Sequence, residues 1–146
     1  MTIRLCWTAA GFALSLALAT LSHAASVDRW PSTPEGAVVR EYVEAFAAGD
    51  SAMRVVWLRR VPPAALKEKP IESRFARYHE LRDELGTLQL AGVEHEERGV
   101  LRVTLLDAHA KEQVFEFAVD PGPPARLTGI KRYLTRGHSF LGGFHH

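Results

Sequence analysis

The chain has 146 residues, of which 47% are hydrophobic, 24% charged and 9% aromatic, and its formal net charge is +1. This composition is typical of a soluble globular domain and excludes a disordered charged tail, a collagen-like repeat and a multi-span membrane protein. The length allows one domain with a single core. Because nucleic-acid binding calls for a clustered excess of Lys and Arg, the balanced charge argues against that function too.

The N-terminus has the three parts of a secretory signal peptide. Arg4 is the only charged side chain before Asp28, an apolar run extends from Leu5 to Leu21, and Ser22-His23-Ala24 places small residues at the cleavage positions. This pattern predicts cleavage after Ala24 and export to the periplasm or the extracellular space. An uncleaved anchor is the alternative, but the run falls short of the roughly 20 apolar residues that a membrane-spanning helix needs.

The predicted organisation is a signal peptide over residues 1–24, a domain over 25–132 and a Gly-rich extension over 133–146. Cleavage removes Arg4 and Cys6, so the remaining chain has no net charge and no cysteine. It can form neither a disulfide nor a thiolate metal site, and its core alone must hold the domain together. We expect no cofactor, and no membrane attachment after cleavage.

Helices are predicted in the first part of the domain. Thr33-Pro34-Glu35 supplies the cap, the first-position proline and the acidic first turn of a helix, and Gly49 suits its end. Asp50 is expected to cap a second helix, which Pro62-Pro63 stops. The stretch 64–69 fits a single helical turn.

The clearest helix is predicted from Pro70 to Gly86. Its apolar residues recur at steps of three and four, which makes one continuous stripe. Four charged residues occupy the opposite side: Arg77, Glu80, Asp83 and Glu84. Together with the two preceding helices, this gives three N-terminal helices.

After Gly86 the apolar period changes from helical to alternating, which indicates strands. Four strands are predicted over residues 87–94, 100–107, 113–120 and 125–132, and the short connections between them predict an antiparallel meander. Helices followed by strands indicate an α+β domain with three helices packed on one face of a curved antiparallel sheet of about four strands. His95 and His109 fall in predicted hairpin turns. A homodimer that forms through the sheet is one expected assembly.

The residues from Tyr42 to Asp50 resemble the first-helix signature of the NTF2-like (SnoaL-like) superfamily, in which that helix ends at Gly-Asp. Three further stretches, Thr33–Gly36, Pro70–Tyr78 and Leu81–Gly86, are similar to a leader domain found ahead of secreted bacterial peptidase or β-lactamase-like hydrolase domains. The resemblance covers about residues 30–132 and implies a reduced cone, often with a pocket between helices and sheet. It transfers no functional residue, because the shared motifs are caps, apolar stripes and a helix stop.

His79 is the most interesting titratable residue of the third helix. It lies beside the apolar stripe, one turn before Asp83, and residues spaced i, i+4 can meet on a helix surface. A carboxylate can orient an imidazole for general-base chemistry, although a solvated pair is the simpler interpretation. Tyr42, Trp57 and Tyr78 lie on helices and would either line a cone pocket or fill the core.

The remaining histidines give no recognisable metal motif. His138, His145 and His146 could chelate a metal loosely, but a chain end without supporting hydrogen bonds would bind it weakly, so we predict no metal site. We favour an exported, non-catalytic NTF2-like module that binds a partner protein or a small apolar ligand. Two alternatives stay open: a small cone-type enzyme with His79 or a buried carboxylate as general base, and a free-standing accessory domain of a secreted hydrolase.

Overall fold

The structure, a computed structural model, describes residues 29–134. The predicted signal peptide and most of the predicted C-terminal extension lie outside these residues. Four helices come first: α1 (Pro34–Ala48), α2 (Asp50–Arg60), α3 (Pro63–Glu68) and α4 (Ile71–Leu85). Four strands follow: β1 (Gln89–Glu97), β2 (Val100–Leu106), β3 (Glu112–Asp120) and β4 (Arg126–Tyr133). The α+β class and the order of helices before strands are confirmed.

The four strands form one sheet in the order β1-β2-β3-β4, and every neighbouring pair is antiparallel. The predicted meander is therefore confirmed, and the sheet stays open, with β1 and β4 at its edges. The register shifts twice between β1 and β2 and once between β3 and β4. Such bulges bend a strand and increase its twist, which lets the sheet curve around the helices.

The first helix starts and ends where its sequence predicts. The Thr33 hydroxyl accepts a hydrogen bond from the Gly36 N–H at 3.1 Å, and Pro34 occupies the first helical position. Gly49 ends α1 with a φ of +121°, a conformation that residues with a Cβ rarely adopt. The chain turns at Gly49 without a linker, so α2 begins at the next residue.

Three sequence-based expectations are corrected by the structure. The helices number four within the described range, not three, because Pro63 starts α3 at a position where its missing N–H costs nothing. Asp50 does not cap α2: it is the first helical residue, and its side chain contacts His79 instead. His95 lies within β1, not in a turn, because β1 extends to Glu97.

The core lies between the inner sheet face and the helices. Alternate residues of β2 and β3 are buried there, as the period of two predicted: Leu101, Val103, Leu105, Phe115, Phe117 and Val119. The helices contribute their apolar stripes from α1, α2 and α4: Val38, Val39, Tyr42, Val43, Phe46, Met53, Val56, Trp57, Phe75, Tyr78 and Leu85. Within residues 29–134, no helix combines the length and apolar character needed to cross a bilayer.

Candidate functional site

A cavity of about 360 Å³ lies between the helices and the β4 side of the sheet, and it is partly open to solvent. Its volume is in the lower part of the range of small-molecule sites, roughly 300–1,000 Å³. Residues from all four helices or their flanks and from β3 and β4 line it: Tyr42, Trp57, Val61, Ala65, Lys69, Arg74, Arg77, Tyr78, Leu81, Phe115, Leu127, Thr128, Gly129, Ile130 and Arg132.

The three aromatic residues singled out from the sequence meet in this cavity. Tyr42 comes from α1, Trp57 from α2 and Tyr78 from α4, and each is at least 94% buried. The Trp57 and Tyr78 rings meet edge to face with centroids 6.0 Å apart, and Tyr42 meets Phe117 in the same way at 5.4 Å. Edge-to-face contacts fix ring orientation, so the cavity has a preformed aromatic wall.

The two tyrosines use their hydroxyl groups differently. The Tyr78 hydroxyl donates to the Phe46 carbonyl oxygen at 3.0 Å and accepts from Arg82 Nη1 at 3.0 Å. The Tyr42 hydroxyl has no hydrogen-bond partner among residues 29–134. Burial strongly raises the pKa of Tyr42, with a smaller contribution from the neighbouring Tyr78, so this phenol keeps its proton and remains a donor.

Cationic side chains form the polar part of the lining. Lys69, Arg74, Arg77 and Arg132 all line the cavity, whereas none of the lining residues in the described part of the chain is Asp or Glu. Arg132 forms a two-point ion pair with Glu84, with Nη–Oε distances of 2.8 and 3.0 Å. Its Nε is buried and has no hydrogen-bond partner.

His79 lies outside this cavity, and its partner is not the one predicted. The His79 Nε2 atom lies 2.9 Å from Asp50 Oδ2, and the imidazole stacks on Phe75 with centroids 5.6 Å apart. Asp83 makes no hydrogen bond or ion pair within residues 29–134. The geometry of the α1–α2 junction explains this, because the Gly49 turn brings Asp50 against α4.

The His79–Asp50 pair belongs to a shallow surface cleft that Ser51, Arg54 and Glu72 also line. The His79 side chain is 52% exposed and that of Asp50 is 60% exposed. Two exposed polar contacts therefore meet here, because Arg54 also approaches Glu72 at 3.4 Å. Such pairs contribute little to stability, and the cleft offers no apolar wall beyond the Phe75 ring.

The two buried carboxylates, Glu35 and Asp107, hold turns in place and do not line the cavity. Glu35 accepts a hydrogen bond from the Gly99 N–H at 2.9 Å, and this bond holds the pKa of Glu35 below its ordinary value. Burial raises the pKa of Asp107, but the combined hydrogen bonds from Lys111 N, Gln113 Nε2 and His109 N lower it by more. Both groups therefore stay ionised near neutral pH.

The weak metal candidates His138, His145 and His146 lie outside the described residues. Among residues 29–134, no cluster of three or more His, Cys, Asp or Glu side chains is placed to hold a metal ion. His109 lies in the β2–β3 turn, where the sequence predicts it.

Sequence reasoning missed the cationic part of the cavity. Lys69 follows the last residue of α3, Arg74 lies in the first turn of α4 and Arg132 comes from the last strand, so no local charge cluster marks the site. One signal was present: Arg74 lies three residues after Ile71 and four before Tyr78, which places a cation within the apolar stripe of α4. A charged side chain within an apolar helix stripe is a candidate for a role in ligand binding.

No family model, curated protein or solved structure matches this chain. The interpretation of the cavity therefore depends on its geometry and chemistry.

Proposed function

We propose that the protein is an exported, non-catalytic module that binds a small, largely apolar molecule in the cavity between its helices and its sheet. The observation that carries this proposal is the cavity of about 360 Å³ with aromatic walls from three different helices. Cavities that combine aromatic or apolar walls with a few convergent polar groups are the usual form of small-molecule sites. The aromatic rings are held by edge-to-face contacts, so little ordering would be needed on binding.

The NTF2-like resemblance is part of the same proposal. Four helices followed by an open antiparallel meander fit the reduced cone that the resemblance implies, and the cavity has the position expected between helices and sheet. Export is supported by the Arg4, Leu5–Leu21 and Ser22-His23-Ala24 pattern of the sequence.

The enzyme alternative gains a hydrogen-bonded carboxylate for His79, but the pair lies in the surface cleft and not in the cavity. A general base must reach the proton that it abstracts from a bound substrate. The ligand-binding function is therefore the better supported of the two. The accessory-domain alternative stays a prediction.

The neutral fluorescent probe N-phenyl-1-naphthylamine tests the proposal. Its emission rises when it leaves water for an apolar site, so titration into the purified protein should show saturable binding with one site per chain. Leu81→Trp should abolish most of this binding, because Leu81 lines the cavity and the larger indole would occupy it.

Leu58→Trp is the matched control, because Leu58 is 57% exposed and lies outside the cavity lining. Its probe binding should equal that of the unmodified protein, and thermal unfolding should show that both variants are folded. Absence of saturable binding, or equal binding by the Leu81→Trp and Leu58→Trp variants, would contradict the proposed function.

A further inference from the structure

The charged groups that line the cavity have one property in common: they donate hydrogen bonds and cannot accept them. Its four charged side chains are cations, and within residues 29–134 no carboxylate lines it. The Thr128 hydroxyl is already used, since it donates to the Ala118 carbonyl oxygen at 3.0 Å. A ligand that fills this cavity therefore meets donors and positive charge, and the complementary group on the ligand is an anionic acceptor.

Two of the four cations have acidic partners and two do not. Arg77 pairs with Glu80 at 3.0 Å, and Arg132 pairs with Glu84. Arg74 instead donates to two carbonyl oxygens, from its Nε to Lys69 at 2.9 Å and from its Nη2 to Ala65 at 3.1 Å. The Lys69 ammonium makes no ion pair within the described range.

Arg74 and Lys69 therefore place two uncompensated positive charges at one side of the cavity. Arg74 is half-buried, and burial lowers its pKa with no carboxylate to oppose that shift. A partly desolvated cation without a counter-ion is costly, and a bound anion would relieve that cost. Hydrogen bonds between ionised partners are also about twice as strong as neutral ones.

Two further donors are unpaired. The Tyr42 hydroxyl lacks a partner among residues 29–134, and Arg132 Nε is buried without one. A buried donor such as Arg132 Nε is rare in folded proteins, since it costs free energy unless a hydrogen bond is made. Tyr42 on α1 and Arg132 on β4 both line the cavity, so the Tyr42 hydroxyl adds a donor on a second wall.

We propose that the cavity selects small monoanionic amphiphiles, namely a carboxylate on an alkyl or aromatic body, with the carboxylate bound by Lys69 and Arg74. This inference depends on the proposed function, because it names the class of ligand for the same cavity. The apolar body packs against Trp57, Tyr78 and Phe115, and the Tyr42 hydroxyl is available to donate to the headgroup.

The test is displacement of N-phenyl-1-naphthylamine by two competitors of equal chain length, decanoate and decan-1-ol, at neutral pH. Decanoate should displace the probe at a concentration at least about tenfold lower than that of decan-1-ol. A charge-assisted hydrogen bond contributes that much to affinity. The same titration with 1-naphthaleneacetate shows whether an aromatic acid binds better than an alkyl acid.

Equal displacement by decanoate and decan-1-ol would overturn this inference and leave the proposed function standing. Failure of both compounds to displace a bound probe would also overturn it. If the probe itself does not bind, the proposed function fails, and this inference fails with it. The probe titration alone therefore tests the ligand-binding function, and the displacement experiment tests the preference for anionic ligands.

Substitutions that remove one positive charge identify the side chains that bind the carboxylate of decanoate. Lys69→Gln and Arg74→Gln should each weaken decanoate binding by about tenfold, and each should weaken binding of the neutral probe by much less. Arg74→Lys should retain most of the decanoate affinity. Lys69 is exposed, so its variant keeps the test valid even if Arg74→Gln is poorly folded.

Arg98→Gln is the matched control, because it removes one exposed positive charge that does not line the cavity. It should leave decanoate binding unchanged. An equal loss of affinity in Arg98→Gln and Lys69→Gln would mean that only overall charge matters, and the assignment of the headgroup would be wrong.

Discussion

Tyr42 and Tyr78 line the same cavity, but of the two hydroxyls only that of Tyr78 makes hydrogen bonds within residues 29–134, which makes them a matched pair for mutation. We expect Tyr78→Phe to lower the free energy of unfolding by about 0.5–1.5 kcal/mol, because it removes the bond to the Phe46 carbonyl oxygen and the acceptor of the bond from Arg82. Tyr42→Phe should change stability by less than ~0.5 kcal/mol, because its hydroxyl has no partner within residues 29–134. Urea titration of both variants measures the difference.

A loss of stability in Tyr42→Phe equal to that in Tyr78→Phe would contradict this assignment of the two hydroxyls. The Phe46 carbonyl is one of the last of α1 and therefore lacks a partner within its own helix. Arg82 also donates to it from α4, at 2.6 Å. Two side chains of α4 thus supply the hydrogen bonds that this carbonyl at the C-terminal end of α1 lacks.

The Glu41–Arg60 pair is the most buried ion pair between helices in the described part of the chain. Both guanidinium-to-carboxylate distances are 2.7 Å, and Arg60 also donates to the Ala125 carbonyl oxygen, so α1, α2 and the β3–β4 loop meet at one side chain. Glu41→Gln should lower the free energy of unfolding by about 1–3 kcal/mol at neutral pH.

The effect of this substitution should depend on pH in one direction. The hydrogen bonds from Arg60 lower the pKa of Glu41 below its ordinary value of 4.5, so the folded state favours the ionised form. The stabilisation is present above that value and is lost as the pH falls below it. Unfolding measured from pH 7 to pH 3 should show the two proteins converging at low pH.

Glu80→Gln is the control for this pH series. Glu80 pairs with Arg77 on an exposed face, and its side chain is 69% exposed, so we expect a change of less than ~0.5 kcal/mol at any pH. A constant difference between Glu41→Gln and the unmodified protein down to pH 3 would contradict the linkage.

At the scale of elements, the end of α4 depends on a glycine and on a distant turn. Gly86 has a φ of +70°, and a Cβ added there would lie 2.6 Å from the Ala108 Cβ in the β2–β3 turn. The same turn donates from the Ala108 N–H to the Leu85 carbonyl oxygen at 2.9 Å. The end of α4 and the β2–β3 turn are therefore packed too closely to admit a side chain at Gly86.

Gly86→Ala should lower the free energy of unfolding by about 1–3 kcal/mol, from backbone strain and the close contact together. Gly92→Ala is the control, because a Cβ at Gly92 would meet nothing within 4 Å. We expect that variant to stay within ~0.5 kcal/mol of the unmodified protein. Thermal unfolding measures the stability of both variants. Equal stability of Gly86→Ala and Gly92→Ala would contradict the close packing at Gly86.

Most element boundaries could be predicted because they depend on local chemistry. Thr33 and Pro34 start a helix, Gly49 and Gly86 end helices, and alternation after Gly86 marks the strands. What could not be predicted depends on contacts distant in the sequence. Glu84, placed on the polar side of its helix, pairs with Arg132 of β4, and nothing in the helix sequence indicates this.

The same limit applies to the candidate site. Its aromatic wall could be predicted because Tyr42, Trp57 and Tyr78 lie on helices of an expected cone. Its cations could not be predicted together, because Lys69 and Arg132 are distant in the sequence and line the same cavity only in the folded chain. Asp50 was misassigned as a cap for a related reason, since its partner is 29 residues away.

The two faces of the sheet differ in polarity. The inner face is apolar and covered by helices, whereas the outer face carries a polar cluster in which Arg102 contacts Glu116 at 2.7 Å and Tyr133 at 3.1 Å. The cavity lies where the helices separate from β4. Homodimer formation through the sheet stays a prediction.

Binding in the cavity is tested most directly by amide and indole NMR of the labelled protein during titration with decanoate. We expect the largest shift changes at the Trp57 indole N–H and at the backbone amides of Ala65, Gly129 and Ile130, which line the cavity. Changes centred on outer-face residues such as Val100 and Arg102, or no saturable change at all, would contradict binding in the cavity.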